Sequence, residues 1–444
     1  MKESNYNFFY EVEDGLLAYN VKTNAMAVVE EEKVEELKRI LQGKPSEDKK
    51  FIEELTYGGF LVEDDTDELK ELRHEMYASR FSNNALNLTI APTSDCNFRC
   101  FYCYEKDVLH TQRMQDETAE KLVKFVEEKA KGIEHLSVNW YGGEPMLEYH
   151  RICELSERFM NICEKYDVAY DAAMVSNGYL LTADKLEKLI SYKVSSIQIT
   201  LDGMKETHDS RRYLKNHGGT FDKIMENLKS FETLAKENKS FPEITIRMNI
   251  DKRNKEEAFE LLELIAASEL KTYVIPYVAG VYDNKDIEHK ETLTDSEYTE
   301  LKNKFIEKME EKGFGVDYLA YYPQRVTSQC CCDRIDSLVV DAHGNLYKCW
   351  EEIGDEKACV GQIGTEKVYN LPQSYYSYLL NDPTLKEDCI RCRILPVCMG
   401  GGCPLRRERD GRRNCAHEQK IFEENVVKSI QKLGKTQVKK IALG

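Results

Sequence analysis

Residues 95–105 read DCNFRCFYCYE and contain three cysteines, Cys96, Cys100 and Cys103. An alternating apolar run at residues 85–91, typical of a strand, comes directly before them. Iron–sulfur clusters are held by cysteine thiolates, and a cluster of four irons takes four ligands, whereas this loop supplies three. One iron therefore stays open to bind a substrate or cofactor. Structural zinc sites use four ligands in pairs, and Tyr102 within the loop suits stacking on a ring, so the stretch predicts redox chemistry.

The composition limits the class of protein. The chain has 444 residues, enough for two or three domains of about 150 residues each. Its net charge of −17 disfavours non-specific nucleic-acid binding. No apolar signal segment follows the N-terminus, and no run approaches the roughly 20 apolar residues that span a bilayer. We therefore expect a cytoplasmic protein that binds neither nucleic acid nor membrane, in which the 15 cysteines are metal ligands rather than disulfides.

The first 80 residues contain no cysteine and are predicted to form a separate module. Short strands are predicted at residues 8–12, 16–20 and 25–29. Two amphipathic helices follow, and the pair Gly58–Gly59 ends the second before a short strand at residues 60–62. This order resembles a winged-helix module. The charged, helix-prone stretch from Thr66 to Arg80 is interpreted as a linker.

Residues 81–315 alternate strands with helices, a pattern typical of βα units and a parallel sheet. Strands are predicted at residues 85–91, 136–141, 171–175, 196–201, 244–250 and 271–278. Six units are too few to close an eight-stranded barrel, so we predict an α/β fold with a partial (β/α)6 barrel resembling a TIM barrel. Ligands of such sheets bind at the carboxyl ends of the strands. The cysteine loop and the sequences GGEP, SNG and TLDG fall there, after the first four strands.

Ten of the 15 cysteines lie between residues 330 and 415, in a stretch with glycines and arginines but few apolar residues. Such a segment cannot form an adequate apolar core, so metal must organise it. An amphipathic helix is predicted to close the chain, at about residues 417–432. Three domains are therefore expected, at residues 1–80, 81–315 and 316–444.

The turn GGEP, which begins at Gly142, follows the second predicted strand. Glycines let the backbone approach a ligand closely, and a carbonyl with the Glu144 carboxylate can bind an ammonium group. In register with the cysteine loop one strand earlier, GGEP makes the chain resemble the radical S-adenosylmethionine (SAM) superfamily. The resemblance implies that the three cysteines bind a catalytic [4Fe–4S] cluster and that Tyr102 packs by the adenine. It also implies SAM contacts from Gly142, Gly143, Glu144, Ser176, Thr200 and Arg212. For the last three, a plain strand-end turn or a solvent-facing arginine is the alternative.

The C-terminal cysteines follow C-x2-C-x5-C-x4-C with a later fifth, and they resemble the SPASM extension of radical enzymes that modify peptides. The family has three residues before the fourth cysteine, so the MGGG segment is one glycine longer here and predicts a bulge. The resemblance implies two auxiliary [4Fe–4S] clusters and three clusters in all. The expected ligands are Cys389, Cys392, Cys398 and Cys415 for the distal cluster and Cys331, Cys349 and Cys403 for the nearer one. Three consecutive cysteines cannot all point one way on extended backbone, so the choice among residues 330–332 and the fourth ligand position stay open.

These resemblances imply a peptide maturase that reductively cleaves SAM to a 5'-deoxyadenosyl radical and abstracts hydrogen from a ribosomally made precursor. An intramolecular thioether, as in sactipeptides or ranthipeptides, is the first expectation. A carbon–carbon link of the cyclophane type and side-chain oxidation of the sulfatase-maturase type are the alternatives. Trp350 stands where sulfatase maturases carry an aspartate base after the cysteine that corresponds to Cys349. Glu351 and Glu352 are the remaining candidate bases.

Residues 1–80 resemble the leader-recognition element (RRE, PqqD-like) of peptide maturases, which binds a leader as an added strand. The expected partners are a precursor peptide and an electron donor such as flavodoxin or ferredoxin. The competing hypothesis is a non-enzymatic winged-helix protein with structural zinc in its C-terminal cysteines. Iron and sulfide analysis distinguishes the two.

Overall fold

The structure is a computed structural model that describes residues 1–106, 109, 111–282, 291–315, 322–328, 330–365, 371–403, 415–434 and 439–441. The chain divides into two compact units. The barrel unit comprises residues 82–316 and 335–376, and the terminal unit comprises residues 1–81, 317–334 and 377–444. Within the described ranges, no helix is both long and apolar enough to cross a membrane.

The strands are β1 Lys2–Glu3, β2 Asn7–Val12, β3 Gly15–Asn20, β4 Ala25–Glu30, β5 Leu61–Val62, β6 Ala85–Ile90, β7 His135–Trp140, β8 Ala169–Ser176, β9 Val194–Thr200, β10 Glu243–Ile250, β11 Val274–Gly280, β12 Ser337–Val340, β13 Asn345–Tyr347, β14 Gly361–Gln362 and β15 Lys439–Ile441. The helices are α1 Glu31–Leu41, α2 Lys49–Tyr57, α3 Glu68–Arg80, α4 Asp116–Ala130, α5 Tyr149–Tyr166, α6 Ala183–Ser191, α7 Lys205–Arg211, α8 Phe221–Ser230, α9 Glu232–Glu237, α10 Glu257–Ala266, α11 Asp295–Glu311, α12 Gln373–Leu379, α13 Glu387–Ile390, α14 Leu395–Cys398 and α15 Cys415–Lys432.

The barrel unit is built on a nine-stranded sheet with the order β11-β10-β9-β8-β7-β6-β12-β13-β14. Consecutive strands from β6 to β11 pair in parallel, because at least one helix returns the chain between each pair. Alternate strand residues such as Leu88, Val138 and Ile246 are fully buried in the apolar core of this unit. The predicted α/β fold with a mostly parallel partial barrel is confirmed, and all six predicted strands are present.

The sheet extends beyond the six predicted strands. β12 pairs in parallel with β6, with Ser337 opposite Asn87, and β13 and β14 continue the sheet in antiparallel order. These strands have two to four residues, which is too short for a periodic pattern to reveal. Gly344 turns the chain between β12 and β13 with a φ of 82°, and a Cβ there would lie 2.6 Å from Ile363 Cγ1.

The terminal unit contains an antiparallel sheet with the order β15-β2-β3-β4. One face, which includes Phe9 and Leu16, packs with the buried residues of α1 and α2. The opposite face carries Phe8, Tyr10, Leu17 and Tyr19, and these share an apolar core with Cys389, Cys398, Met399 and Phe422. The strands and helices predicted for residues 1–62 are present, and the winged-helix resemblance and the three-domain division stay predictions.

The stretch from Thr66 to Arg80 is not a linker. It forms α3, whose Leu72 and Met76 are buried in the same core as the N-terminal sheet. The Arg80 side chain is fully buried, donates to the Asn381 carbonyl at 2.7 Å and pairs with Asp333 at 3.5 Å. The high charge of the helix hid this packed face, so the linker interpretation was wrong.

Replacing Phe8 with alanine tests whether the N-terminal sheet and the C-terminal segments form one core. Phe8 is 5% exposed and its ring centre lies 4.9 Å from that of Phe422. We expect Phe8→Ala to cost about 3–5 kcal/mol, as large-to-small core substitutions do, and to lower the midpoint of thermal unfolding. Phe81→Ala is the control, since Phe81 is 40% exposed. Equal midpoints for the two variants would contradict the shared core.

Candidate functional site

The cysteine loop follows β6 and is fixed by main-chain hydrogen bonds to the segment after α7. The Arg99 amide donates to the Tyr213 carbonyl at 2.8 Å, and the Lys215 amide donates to the Asn97 carbonyl at 3.0 Å. The Arg99 guanidinium donates to the Cys96 carbonyl at 2.8 Å. These contacts hold the backbone of the loop against the segment after α7.

The three thiols of the loop are neighbours. Burial raises the pKa of Cys96, Cys100 and Cys103, to about 12 for Cys103, and negative charge on the other two thiols raises the pKa of Cys96 further. The Arg212 guanidinium opposes this rise at Cys100. The Phe98 amide donates to the Cys96 sulfur at 3.4 Å. Metal ligation requires thiolates and releases their protons, and the cationic and N–H groups here stabilise that charge.

The GGEP turn presses against the residues that lead into the cysteine loop. A Cβ on Gly142, whose φ is 113°, would lie 2.6 Å from the Thr93 carbonyl oxygen, and one on Gly143 would lie 2.1 Å from that of Asp95. The Glu144 amide donates to the same Asp95 carbonyl at 2.9 Å. Both glycines are thus required for contact between two loops of the protein, whereas the sequence argument invoked approach to a ligand.

Glu144 is 1% exposed and its carboxylate accepts three hydrogen bonds. The donors are the Met146 amide at 3.0 Å, the Ser176 hydroxyl at 2.8 Å and the Asn177 amide at 2.7 Å. Burial raises the pKa of Glu144, and these hydrogen bonds oppose the rise. Ser176 and Glu144, both expected from the resemblance to contact SAM, therefore lie side by side, and both ligand contacts stay predictions.

Tyr102 reaches the carboxyl ends of two further strands through its hydroxyl group. It donates to Asp202 Oδ2 at 2.5 Å and accepts from Arg212 Nη1 at 2.7 Å and from Asn249 Nδ2 at 3.1 Å. Burial and the Asp202 carboxylate raise the pKa of Tyr102. Thr200, at the end of β9, is 6% exposed. The predicted residues Tyr102 and Arg212 are in direct contact.

The sequence reasoning missed Asp202, Asn249 and Tyr141 as residues of this site. Asp202 lies in the TLDG motif, from which only Thr200 was selected, and Asn249 lies at the carboxyl end of β10, where the strand-end rule applies. The Tyr141 ring stacks on Trp350 with centres 5.4 Å apart, and the Tyr141 hydroxyl bonds to that of Tyr104. No sequence signal links positions 141 and 350.

The residues present fit a cluster with a bound small molecule. Three thiols share one loop, and the glycines bring the Glu144 turn against it. Arg212 Nε is buried and has no hydrogen-bond partner among the described residues, as expected of a cation that awaits an anionic group. Within the described ranges, no three His, Cys, Asp or Glu side chains converge closely enough for one metal ion.

In the terminal unit, Cys389 and Cys398 lie in the short helices α13 and α14, and Cys415 begins α15. The Cys392 amide donates to the Cys389 carbonyl at 3.0 Å. Burial raises the pKa of Cys392, and negative charge on Cys415 raises it further. Cys389 and Cys398 are buried. Residues 399–402, before Cys403, all have positive φ, a tight left-handed turn at the place where a bulge was predicted.

The three consecutive cysteines are not on extended backbone throughout. Cys330 is extended, whereas Cys331 begins a 3₁₀ turn that ends at Asp333. The Cys330 and Cys331 sulfurs lie 4.0 Å apart, and hydrogen bonds from Cys331 and Cys332 hold the pKa of Cys330 well below its usual range. Cys349 is buried in the barrel unit. The ligand set of the nearer auxiliary cluster stays a prediction.

Comparison with known proteins gives the family of the central region. Residues 90–265 match the model of the Radical SAM superfamily. The chain therefore contains a radical SAM domain, which implies a [4Fe–4S] cluster and SAM.

Relatives and solved structures extend the likeness. The chain is 24% identical over 377 residues to the cysteine-type anaerobic sulfatase-maturating enzyme of Clostridium novyi, covering 78% of this chain and 96% of that protein. A structure of anSMEcpe with bound AdoMet and Kp18Cys peptide superposes with a TM-score of 0.61 and 20% identity, covering 79% of this chain and 99% of that one. A structure of Streptococcus suis SuiB bound to precursor peptide SuiA superposes with a TM-score of 0.53 and 15% identity, covering 92% of this chain and 97% of that one. At these identities the two structures show the fold.

Adding one methyl group at Gly143 should abolish SAM cleavage, because the Cβ would lie 2.1 Å from the Asp95 carbonyl oxygen and would force the two loops apart. The measurement is 5'-deoxyadenosine formed by the anaerobically reconstituted Gly143→Ala variant with dithionite. Gly132→Ala is the matched control, since a Cβ there meets no atom within 4 Å. Equal 5'-deoxyadenosine yields from the two variants would contradict the role given to this contact.

Proposed function

We propose that this chain is a peptide maturase, in which a radical SAM site installs an intramolecular thioether in a ribosomally made precursor whose leader binds the N-terminal sheet. When bound, a [4Fe–4S] cluster and SAM supply one-electron cleavage of a carbon–sulfur bond and a carbon radical that abstracts hydrogen. Cys96, Cys100 and Cys103 are proposed to hold the cluster. The protein then has to position the groups and exclude side reactions.

The main observation in support of a peptide substrate is the edge strand β4 of the four-stranded sheet. Among the described strands β4 pairs only with β3, and it forms the edge of that sheet. An edge strand presents main-chain groups with which another strand can pair. Ala27, Val28 and Glu30 are exposed, Val28 by 45%. An extended peptide that adds to such an edge gains main-chain hydrogen bonds, which is the mode expected of a leader.

The comparisons support a peptide substrate. Two similar structures hold peptides, Kp18Cys in anSMEcpe and the precursor SuiA in SuiB. The likeness to SuiB extends over 92% of this chain, whereas that to anSMEcpe covers 79%, although nearly all of anSMEcpe is matched. About a fifth of this chain therefore has no counterpart in anSMEcpe, a share comparable to that of the N-terminal module.

A thioether joins a precursor cysteine sulfur to a carbon atom and removes two hydrogens. One leaves the carbon as a hydrogen atom, and the other leaves the thiol as a proton while one electron passes to an acceptor. We propose that this acceptor is an auxiliary cluster held by the C-terminal cysteines. Cys389, Cys392, Cys398 and Cys415 all belong to the terminal unit, and the charge of Cys415 acts on Cys392.

The environment of Trp350 favours cross-linking over oxidation of a single side chain. Trp350 is 37% exposed and stacks on Tyr141, which comes directly before the GGEP turn. An aromatic wall therefore stands where the sulfatase maturases carry an aspartate base. Sulfatase-type oxidation is the second candidate function, favoured by the 96% coverage of the Clostridium novyi enzyme.

Mass spectrometry of a matured precursor separates these functions. The test uses the anaerobically reconstituted full chain with the cysteine-rich precursor of a neighbouring small open reading frame. A thioether predicts loss of two hydrogens per link together with loss of the thiol that iodoacetamide alkylates. A carbon–carbon link loses the hydrogens but keeps the thiol, and an aldehyde product reacts with a hydrazide. An unchanged precursor mass despite SAM consumption would rule out all three.

Charge on the exposed edge strand should weaken leader binding. We expect Val28→Asp to reduce the affinity for the labelled leader peptide about tenfold or more, because a carboxylate at the edge must lose water when a strand pairs there. Fluorescence anisotropy measures the affinity. Tyr57→Asp is the control, since Tyr57 is 95% exposed at the end of α2 and is not part of the edge strand. Equal leader affinity in the two variants would remove β4 as the docking edge.

A further inference from the structure

Five residues of the barrel unit are joined by a closed ring of hydrogen bonds around the Tyr102 hydroxyl group. They come from four places in the chain: the cysteine loop, the end of β9, helix α7 with its C-cap, and the start of α8. The members are Tyr102, Asp202, His208, Arg212 and Thr220.

Four of the five bonds of the ring have a defined donor, and the fifth joins His208 to Thr220. The Tyr102 hydroxyl donates to Asp202 Oδ2 at 2.5 Å, and the Asp202 amide donates to His208 Nδ1 at 3.1 Å. His208 Nε2 bonds to Thr220 Oγ1 at 3.1 Å, and the Thr220 hydroxyl donates to the Arg212 carbonyl at 2.6 Å. Arg212 Nη1 donates back to the Tyr102 oxygen at 2.7 Å, which closes the ring.

This pattern fixes the state of His208. The His208 Nδ1 accepts from the Asp202 amide, so it carries no proton. The Thr220 hydroxyl donates its proton to the Arg212 carbonyl, so Nε2 must carry the ring proton and donate to the Thr220 oxygen. The imidazole is therefore neutral. It accepts a hydrogen bond from the Asp202 amide and donates one to the Thr220 oxygen, whereas a charged imidazolium could not accept from the amide. Burial and the nearby Arg212 and Arg211 charges also lower the pKa of His208.

Four of the five ring residues are buried inside the barrel unit, and Tyr102 is partly exposed. Asp202 and His208 are 0% exposed, Thr220 is 1% exposed and Arg212 is 7% exposed. A buried polar group without a partner costs more than its hydrogen bond contributes, so each member depends on the next. Asn249 adds a further bond to the Tyr102 hydroxyl and one to Asp202, which ties the ring to β10.

The sequence HDSRR is accounted for by this arrangement. His208 closes the ring, and the Asp209 carboxylate accepts from the Thr220 and Phe221 amides at the start of α8. Arg211 pairs with Asp251 at 2.8 Å, and Arg212 holds Tyr102. All four charged or ionisable side chains of the motif are therefore used to build one side of the site.

We propose that His208 and Thr220 are positioning residues for SAM. Among the described hydrogen bonds, neither side chain bonds to the cysteine loop; His208 accepts from the Asp202 amide and the Thr220 hydroxyl donates to the Arg212 carbonyl. Together they fix the spacing between Asp202 and Arg212, whose side chains both bond to the Tyr102 hydroxyl. Tyr102 is the ring proposed to pack by adenine, so the inference rests on the proposed SAM site, not on the peptide substrate. The hydrogen-bonded ring sets the orientation of Tyr102 before SAM binds.

The test measures SAM binding without any peptide. The anaerobically reconstituted full chain is compared with Thr220→Val, which keeps the shape and removes the hydroxyl, and with Thr220→Ser, which retains it. Thr299→Val is the control for loss of a buried hydroxyl elsewhere, since Thr299 is 5% exposed and donates to the Asp295 carbonyl. Equilibrium dialysis gives the SAM dissociation constant, electron paramagnetic resonance of the reduced cluster reports SAM at the iron, and thermal unfolding reports stability.

We expect Thr220→Val to weaken SAM binding about tenfold, or about 1.4 kcal/mol, and Thr220→Ser to restore it to within about threefold. Tyr102→Phe opens the same ring on its other side. If the ring is one unit, the double variant should lose little more affinity than either single variant, whereas independent residues would give the product of the two losses. The SAM-dependent change in the resonance spectrum should weaken in parallel.

The positioning role would be overturned if the Thr220→Val, Tyr102→Phe double variant lost SAM affinity by the product of the two single losses. It would also be overturned if a folded Thr220→Val protein bound SAM within twofold of the wild type. If Thr220→Val does not fold, His208→Gln opens the ring at the same point and enters the same cycle with Tyr102→Phe. A wild-type protein that contains the cluster but does not bind SAM would instead overturn the proposed SAM site. The two failures are therefore distinguishable.

Discussion

The contact between the GGEP turn and the residues before Cys96 is the constraint on which the rest of the site depends. Two loops that follow adjacent parallel strands approach so closely that a single Cβ on Gly143 would lie 2.1 Å from a carbonyl oxygen. Glu144 is buried next to this contact, and its carboxylate accepts three hydrogen bonds, one from its own turn and two from the end of β8. Three consecutive strand ends, β6 to β8, are joined in this way.

A second polar centre continues the same edge of the sheet. The Tyr102 hydroxyl lies in the cysteine loop, yet its partners come from the end of β9, from the C-cap of α7 and from β10. Glu144 and Tyr102 therefore connect the cysteine loop to the ends of four neighbouring strands, β7 to β10. Buried polar networks of this kind are strong only when every member is satisfied, and among the described residues the Nε atoms of Arg211 and Arg212 are buried without a hydrogen-bond partner.

The sequence predicted the barrel well because its strands are long and alternate with helices. All six parallel strands were placed correctly, since burial on one face gives a period that a short window reveals. Strands β12 to β14 were missed because they are two to four residues long, and α3 was misread because its charged residues outnumber its buried ones. Among site residues, Cys96, Tyr102 and Glu144 were selected from motifs, whereas Asp202 was passed over within TLDG and Asn249 is recognisable only from its place at the end of β10.

The sequence by itself determined the parallel sheet, the three-cysteine loop and its distance along the chain from GGEP, because these depend on local spacing and periodicity. Only the tertiary structure decided that the glycines serve the contact between two loops, that Arg212 holds Tyr102 and that His208 is neutral. It also decided that the N-terminal sheet shares a core with Cys389 and Phe422, far away in the chain. Hydrogen-bond partners and shared cores depend on which distant segments meet, and residue spacing carries no information about that.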